Sequence, residues 1–145
     1  AVVAAAKQQG KIKTLCGIAE GMHEVDLSSP GYGLQLKASD AALLSFDLEF
    51  NRALKSANLA GNEIGDEGAI AISAALESNT SLTELDLSSN GYGTMIGTAG
   101  AQAIAKMLVV NRALNSVDLR YNDIPDADKQ QLRDAVKGKN ITLQL

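Results

Sequence analysis

The sequence is poor in the residues on which most globular cores and many active sites depend. Its 145 residues include no tryptophan, one cysteine and one histidine, and aromatic residues make up only 3% of the chain. A single cysteine excludes an internal disulfide and favours a reducing compartment. A core made of Leu, Ile, Val and Ala, without bulky anchors, suits many thin and similar layers better than one large globular interior.

Basic residues are also in the minority. The 13 Lys and Arg residues face 17 Asp and Glu residues, which gives a formal net charge of −4. A nucleic-acid-binding surface needs clustered Lys and Arg, so we predict no nucleic-acid partner. No apolar run reaches the roughly 18 residues that a membrane-spanning helix needs, so we predict no membrane insertion.

Groups that could carry chemistry are isolated from one another. Cys16 and His23 could form a thiol–imidazole pair, but Cys16 lies in an apolar run, 12–18, that predicts an interior position. The glycines of 31–33 and 91–93 follow strands but lack the third glycine or the Lys-Ser/Thr of phosphate-binding loops. Acidic residues are spread through the chain rather than gathered as metal ligands. We therefore predict no enzyme activity, no cofactor and no metal site.

One short leucine pattern recurs along most of the chain. In residues 81–90, Leu82, Leu85 and Leu87 have the spacing L-x-x-L-x-L, and Asn90 follows three residues later. This spacing combines the alternation of a short strand with a turn, and it is typical of a leucine-rich repeat. The same positions are filled by Met22, Val25 and Leu27, by Leu54, Ala57 and Leu59, and by Leu114, Val117 and Leu119, with Leu143 and Leu145 as a final half-strand.

The return path of each repeat is long enough for a helix. Ala69, Ile72 and Leu76 recur at the spacing of one helical face, and Asp66 is the predicted N-cap of that helix. Equivalent triplets are Ala41, Leu44 and Leu48, then Ala101, Ile104 and Leu108, then Lys129, Leu132 and Val136. The charged flank of the last helix predicts the outer layer of a stack. Residues 1–21 are interpreted as a helical N-terminal cap, and 22–145 as the repeat domain.

A longer period overlies the repeats. The segment 28–33 recurs, with one substitution, as 88–93, and Asn51-Arg52-Ala53-Leu54 recurs as Asn111-Arg112-Ala113-Leu114. A pair of repeats was therefore the duplicated unit. The first and third repeats carry extra residues between strand and helix, which we expect to loop out along one rim.

With these residues in place, the chain resembles the ribonuclease-inhibitor-like subfamily of leucine-rich repeat proteins, in particular short forms found in algae and other protists. The subfamily pattern L-x-x-L-x-L-x-x-N-x-I-G-x-x-G-A is followed closely by residues 54–69. The resemblance implies a right-handed α/β solenoid with parallel strands on the concave face, helices on the convex face, and protein binding without catalysis. Asn62, Asn90 and Asn122 fill the asparagine position, which Pro30 occupies in the first repeat, and Pro125 replaces the glycine matched by Gly65.

Two surfaces are candidate partner sites. Residues between the leucines should face the concave side, which makes that face acidic through Glu24, Asp26, Glu84, Asp86 and Asp118, with Arg120 at its edge. The rim loops should expose Tyr32, Tyr92, Met95 and Ile96, and Tyr121 should lie with Arg120 near the concave edge. Aromatic and long apolar side chains of this kind suit an interface. Contact at the rim is the leading hypothesis, and simple coverage of the leucine layers by the tyrosines is the alternative.

The expected function is a non-catalytic protein-interaction or scaffold module, with another protein as its partner. The alternative is a peripheral structural subunit of a large multiprotein assembly, for example a photosynthetic one in an organelle. An intracellular, cytoplasmic location is expected for the first. An organellar location would follow if Ala1 marks a cleaved targeting peptide. The partner's identity and the oligomeric state are left open by the sequence.

Overall fold

Strands and helices alternate one for one along the chain. The computed structural model describes residues 16–29, 35–90 and 94–145. The elements in order are β1 (Glu24–Asp26), α1 (Ala38–Phe50), β2 (Ser56–Asn58), α2 (Gly65–Ser78), β3 (Glu84–Asp86), α3 (Thr98–Val110), β4 (Ser116–Asp118), α4 (Asp126–Ala135) and β5 (Thr142–Gln144). The connections after β1 and β3 are longer than those after β2 and β4, as the extra residues of repeats one and three predict.

The strands form one parallel sheet in chain order, β1-β2-β3-β4-β5. Their registers align the middle residue of every strand, so Val25, Ala57, Leu85, Val117 and Leu143 lie side by side. These residues are the middle apolar positions of the repeats, and those of β1 to β4 are buried. The predicted α/β solenoid with parallel strands is thereby confirmed.

Three helices bury the triplets that the sequence predicts. Ala41, Leu44 and Leu48 of α1 are buried, as are Ala69, Ile72 and Leu76 of α2 and Ala101, Ile104 and Leu108 of α3. The prediction for α4 is only partly right. Leu132 is buried, but α4 ends at Ala135, before Val136, and its second buried residue is Asp128 rather than Lys129. Asp128 accepts a hydrogen bond from Gln102 Nε2 of α3, which provides a polar partner for this carboxylate.

The predicted asparagine positions link each turn to the preceding layer. Asn90 Nδ2 donates to Leu87 O within its own turn at 2.8 Å and to Leu59 O of the layer before at 3.4 Å. Its Oδ1 accepts from Ile64 N at 3.3 Å. Asn62 and Asn122 make the same kinds of bonds to backbone groups in their own and the preceding layer. Pro30, which stands at this position in the first repeat, lies outside the described residues.

A second asparagine ladder, which sequence reasoning did not assign, follows the helices. Asn79 Oδ1 accepts from Ser81 N and Leu82 N, and its Nδ2 donates to Leu48 O at 2.6 Å and Asn51 O at 3.1 Å. Asn111 repeats this pattern one layer further on. In the last layer Lys139 Nζ donates to the carbonyl oxygens of Leu108 and Val109 instead. The turns that follow α2, α3 and α4 therefore close on the C-terminal carbonyl groups of the preceding helix.

Asp66 does not cap its own helix, contrary to the sequence prediction. α2 begins one residue earlier, at Gly65, and no side chain caps it. Asp66 Oδ1 instead accepts from Gly97 N and Gly100 N, both at 2.8 Å, so it caps the start of α3 in the next layer. A Cβ at position 100 would lie 2.7 Å from Asp66 Oδ1 and 3.1 Å from the Cβ of Ala69, which explains the glycine there.

The N-terminal cap is described only from residue 16, and its first 15 residues lie outside the described part. Residues 16–21 form bends and a turn, so this part of the predicted helical cap is not helical. Ile18 is buried and joins the core, whereas Cys16, expected inside, is exposed. Among the described helices, none has the length and hydropathy to cross a membrane.

Replacing Asn90 with Ala is expected to destabilise the fold by about 1 to 3 kcal/mol, because the buried carbonyl of Leu87 and the amide of Ile64 lose their partner. The free energy of unfolding, measured by urea denaturation, tests this. Asn140→Ala at an exposed position is the control and should leave the midpoint unchanged. Equal effects of the two substitutions would contradict the ladder's role.

Replacing Ser73 with Ala is expected to stabilise the protein by about 1 kcal/mol, because the buried Ser73 hydroxyl has no hydrogen-bond partner in the described structure. The equivalent position of α3 is Ala105, which is also buried. Ser45→Ala in α1 is the control, since it brings the same gain in helix propensity but removes a hydrogen bond to Ala42 O. A gain for Ser45→Ala as large as that for Ser73→Ala would show that helix propensity alone is responsible.

Candidate functional site

The outward side of the sheet is one continuous polar surface, here named the strand face. The aligned registers place its residues in two rows. The first row is Glu24, Ser56, Glu84, Ser116 and Thr142, and the second is Asp26, Asn58, Asp86, Asp118 and Gln144. None of the five strands that the structure describes carries a basic residue. Because adjacent strands lie about 4.8 Å apart, the carboxylates of β1 and those of β3 are about 10 Å apart.

A shallow depression of about 270 Å³ lies in the strand face. It is lined by residues of β2 to β5: Ser56, Ala57, Asn58, Glu84, Leu85, Asp86, Ser116, Asp118 and Gln144. The side chains of Ser56, Asn58 and Ser116 are small, so they leave room between the longer acidic side chains. The depression is therefore lined by hydroxyl and amide groups together with the carboxylates of Glu84, Asp86 and Asp118.

Two carboxylates of the strand face are held in place by the turns that follow their strands. Asp26 Oδ1 accepts from Ser28 Oγ at 2.6 Å and from Ser28 N at 3.0 Å, and these bonds lower the pKa of Asp26 below its ordinary value. Asp86 Oδ1 accepts from Ser88 N at 2.8 Å in the same arrangement. The bonds from Ser28 favour the charged form of the Asp26 carboxyl group, and hydrogen bonds of this kind fix the direction of both side chains.

Asp118 differs from the other strand-face carboxylates because Arg120 neutralises it. Arg120 Nη2 lies 2.6 Å from Asp118 Oδ2, and Arg120 Nε donates to both carboxylate oxygens at 3.1 Å. Burial alone would raise the pKa of Asp118, but the side-chain and backbone hydrogen bonds from Arg120 outweigh it and lower that pKa. With 8% of its surface exposed, Asp118 is less available than the sequence predicts.

The rim residues behave differently from one another. Tyr32 and Tyr92 lie outside the described residues. Met95 is 42% exposed, as predicted, whereas Ile96 is fully buried, so the prediction that Ile96 is a surface contact is wrong. Ile96 N donates to Asn122 Oδ1 and its side chain joins the core, which is the role that Ile64 plays in the second repeat. The inserted loop separates Ile96 from Asn90, which hid this equivalence in the sequence.

Tyr121 is the most exposed of the large apolar side chains in the described residues, at 76%. It follows Arg120 in the turn after β4, and its φ of 59° lies in the left-handed region. The equivalent positions in repeats two and three are Gly61 and Ser89, which also have positive φ.

Cys16 and His23 show no arrangement for nucleophilic catalysis. Partial burial raises the pKa of the Cys16 thiol, and the carboxylates of Asp47 and Asp40 raise it further, which disfavours the thiolate. His23 Nδ1 lies 3.2 Å from the backbone oxygen of Ala53. Among residues 16–29, 35–90 and 94–145, no group of His, Cys, Asp and Glu side chains is placed to hold a metal ion.

Comparisons with known proteins agree with this fold. A family model described as Leucine Rich repeat matches residues 50–73 and 78–105. The solved structure titled Leiomodin-1 Actin-Binding Site 2 (ABS2) is similar with a TM-score of 0.72 and 23% sequence identity, covering 85% of this chain and 69% of that chain. No curated protein matches the sequence significantly. At this level of identity the structural similarity establishes the fold alone.

The repeated leucine spacing, the parallel sheet with its asparagine ladder, and the matching repeat model all describe the same architecture. The chain therefore carries leucine-rich repeats and folds as an α/β solenoid.

Proposed function

We propose that the chain is a non-catalytic protein-interaction module whose strand face binds a basic segment of a partner protein. The observation that carries this proposal is the strand face itself, an open acidic surface with a depression and no basic residue in its described strands. Electrostatic complementarity of this kind steers a cationic partner and selects against acidic ones. The ribonuclease-inhibitor-like subtype expected from the sequence is consistent with this role and belongs to the same proposal.

The spacing of the carboxylates narrows the chemistry of the partner. Glu24 and Asp26 lie on β1, and Glu84 and Asp86 lie on β3, two strands away. The intervening β2 presents the neutral Ser56 and Asn58. Cations separated by about 10 Å would match this pattern, and a chain in the polyproline II conformation, with three residues per turn, presents a basic residue at every third position on one side at close to that spacing.

The solved leiomodin structure supports protein binding as the general role, because its title assigns actin binding to a protein of similar fold. This geometry makes the rim loops a weaker candidate than the strand face for the partner-binding site. Of the rim contacts expected in loop 90–97, Ile96 is buried and inaccessible to a partner, whereas Met95 is exposed.

A structural subunit of a larger assembly is the second candidate function. It is favoured by exposed aliphatic side chains on the helical side, among them Val109 at 55% and Val110 at 49%. Purification from the native source tests it: a permanent subunit would comigrate with a complex, whereas a regulatory module would exchange. An organellar location would accompany this structural role, and a cytoplasmic location would accompany the protein-interaction role.

We expect the double substitution Glu84→Gln with Asp86→Asn to weaken binding of a labelled (Lys-Ser-Ser)₅ peptide about tenfold, because it removes two strand-face charges. The amide oxygen introduced at position 86 would still accept a hydrogen bond from Ser88 N, so the turn should keep its structure. Fluorescence anisotropy measures Kd, and circular dichroism confirms that the variant is folded.

The matched control is Glu67→Gln with Glu77→Gln, which removes the same charge from exposed positions of α2. This control should bind within about twofold of the parent, since only long-range screened attraction changes. Equal weakening by both double substitutions would show that the peptide responds to net charge and not to the strand face.

A further inference from the structure

The backbone of Tyr121 is strained, and the residue gains little packing in return. A φ of 59° is costly for a residue with a bulky side chain, since the Cβ approaches the following carbonyl oxygen. The ring is 76% exposed, so burial does not offset this cost. Backbone strain that packing does not offset is often found at residues that contact a ligand or a partner.

The neighbouring repeats show which residues the turn itself favours. The position before the ladder asparagine is Gly61 in repeat two and Ser89 in repeat three, both with positive φ. Glycine takes this conformation without strain, and serine is small. Tyr121 therefore departs from the turn's own preference by placing a large aromatic ring where a small residue would suffice.

Tyr121 lies in the turn that follows β4, next to the strand face. Tyr121 follows β4 after Leu119 and Arg120, and Asp118 at the end of β4 lines the depression. Three side-chain hydrogen bonds hold the Arg120 guanidinium on Asp118. The arginine is thereby occupied within the chain, while the adjacent tyrosine ring is open to a partner.

We infer that Tyr121 is a binding residue of the strand face and that its ring receives a Lys or Arg side chain of the partner. A cation over a tyrosine ring is attracted by the electron-rich face, and this attraction would add to that of the carboxylates on β1 and β3. Tyrosine is also common among residues that dominate binding energies at interfaces. This inference rests on the proposed function, because it assigns an aromatic contact to the same basic partner.

Three substitutions at Tyr121 separate binding from folding. Tyr121→Gly removes the ring and the strain, so we expect a Tm equal to or above the parent's and about fivefold weaker binding of the (Lys-Ser-Ser)₅ peptide. Tyr121→Asn, a residue that tolerates positive φ, should weaken binding equally. Tyr121→Phe keeps the ring and should bind within about twofold of the parent.

Each other outcome overturns the inference. Unchanged binding by Tyr121→Gly would show that the ring makes no contact. A Tm several degrees lower would show that the ring stabilises the fold, and binding lost in Tyr121→Phe would assign the effect to the hydroxyl. If Glu84→Gln with Asp86→Asn weakens binding but Tyr121→Gly does not, only the Tyr121 contact fails. If neither variant weakens binding, the proposed function fails with it.

Discussion

The structure depends on how the buried backbone groups between layers are satisfied. Strands of three residues leave most of each repeat in turns and helices, and a stack buries those turns against their neighbours. Asn62, Asn90 and Asn122 supply the missing partners on the strand side, and Asn51, Asn79 and Asn111 supply them on the helix side. An unpaired backbone group buried away from water costs about as much free energy as a lost hydrogen bond. Removing one of these asparagines would leave several such groups unpaired, so each asparagine contributes more to stability than a single hydrogen bond.

This arrangement leaves the outward positions free to vary. Most inward positions of the layers are small or branched aliphatic residues, and the turns are fixed by asparagine. Stability therefore places few demands on the residues of the strand face. Duplication of a two-repeat unit then explains the surface: β1 and β3 both present a glutamate and an aspartate, while β2 and β4 present serine in the first row. An alternating charge pattern follows from the history of the sequence without any cost to the core.

The sequence predicts those features that depend on local spacing, and it fails where contacts cross layers. Leucine spacing locates all five strands and their register, and helical periodicity locates the buried faces of α1, α2 and α3. Asp66 looks like the cap of its own helix, but its partners, Gly97 and Gly100, lie more than thirty residues away. Ile96 looks like a loop residue because an insertion separates it from its asparagine. The ion pair between Asp118 and Arg120 involves two residues of a strand and its turn, and no periodicity predicts it.

The ion pair between Asp118 and Arg120 makes the negative charge of the strand face uneven from β1 to β5. Asp118 lies in β4 and Arg120 follows it, so the charge of that carboxylate is compensated within the chain. In the described part of the structure no Lys or Arg forms an ion pair with the carboxylates of β1 or β3, although Arg120 also attracts Asp86 of β3 at longer range. A cationic segment lying across the strands therefore meets its strongest attraction between β1 and β3 and a weaker field beyond β4. Tyr121 lies at that weaker end, and its ring is exposed. A cation there is attracted by the aromatic ring, whereas a cation over β1 or β3 is attracted by carboxylates. Charge and ring would thus act on different parts of one partner, and they would fix its position as well as its affinity.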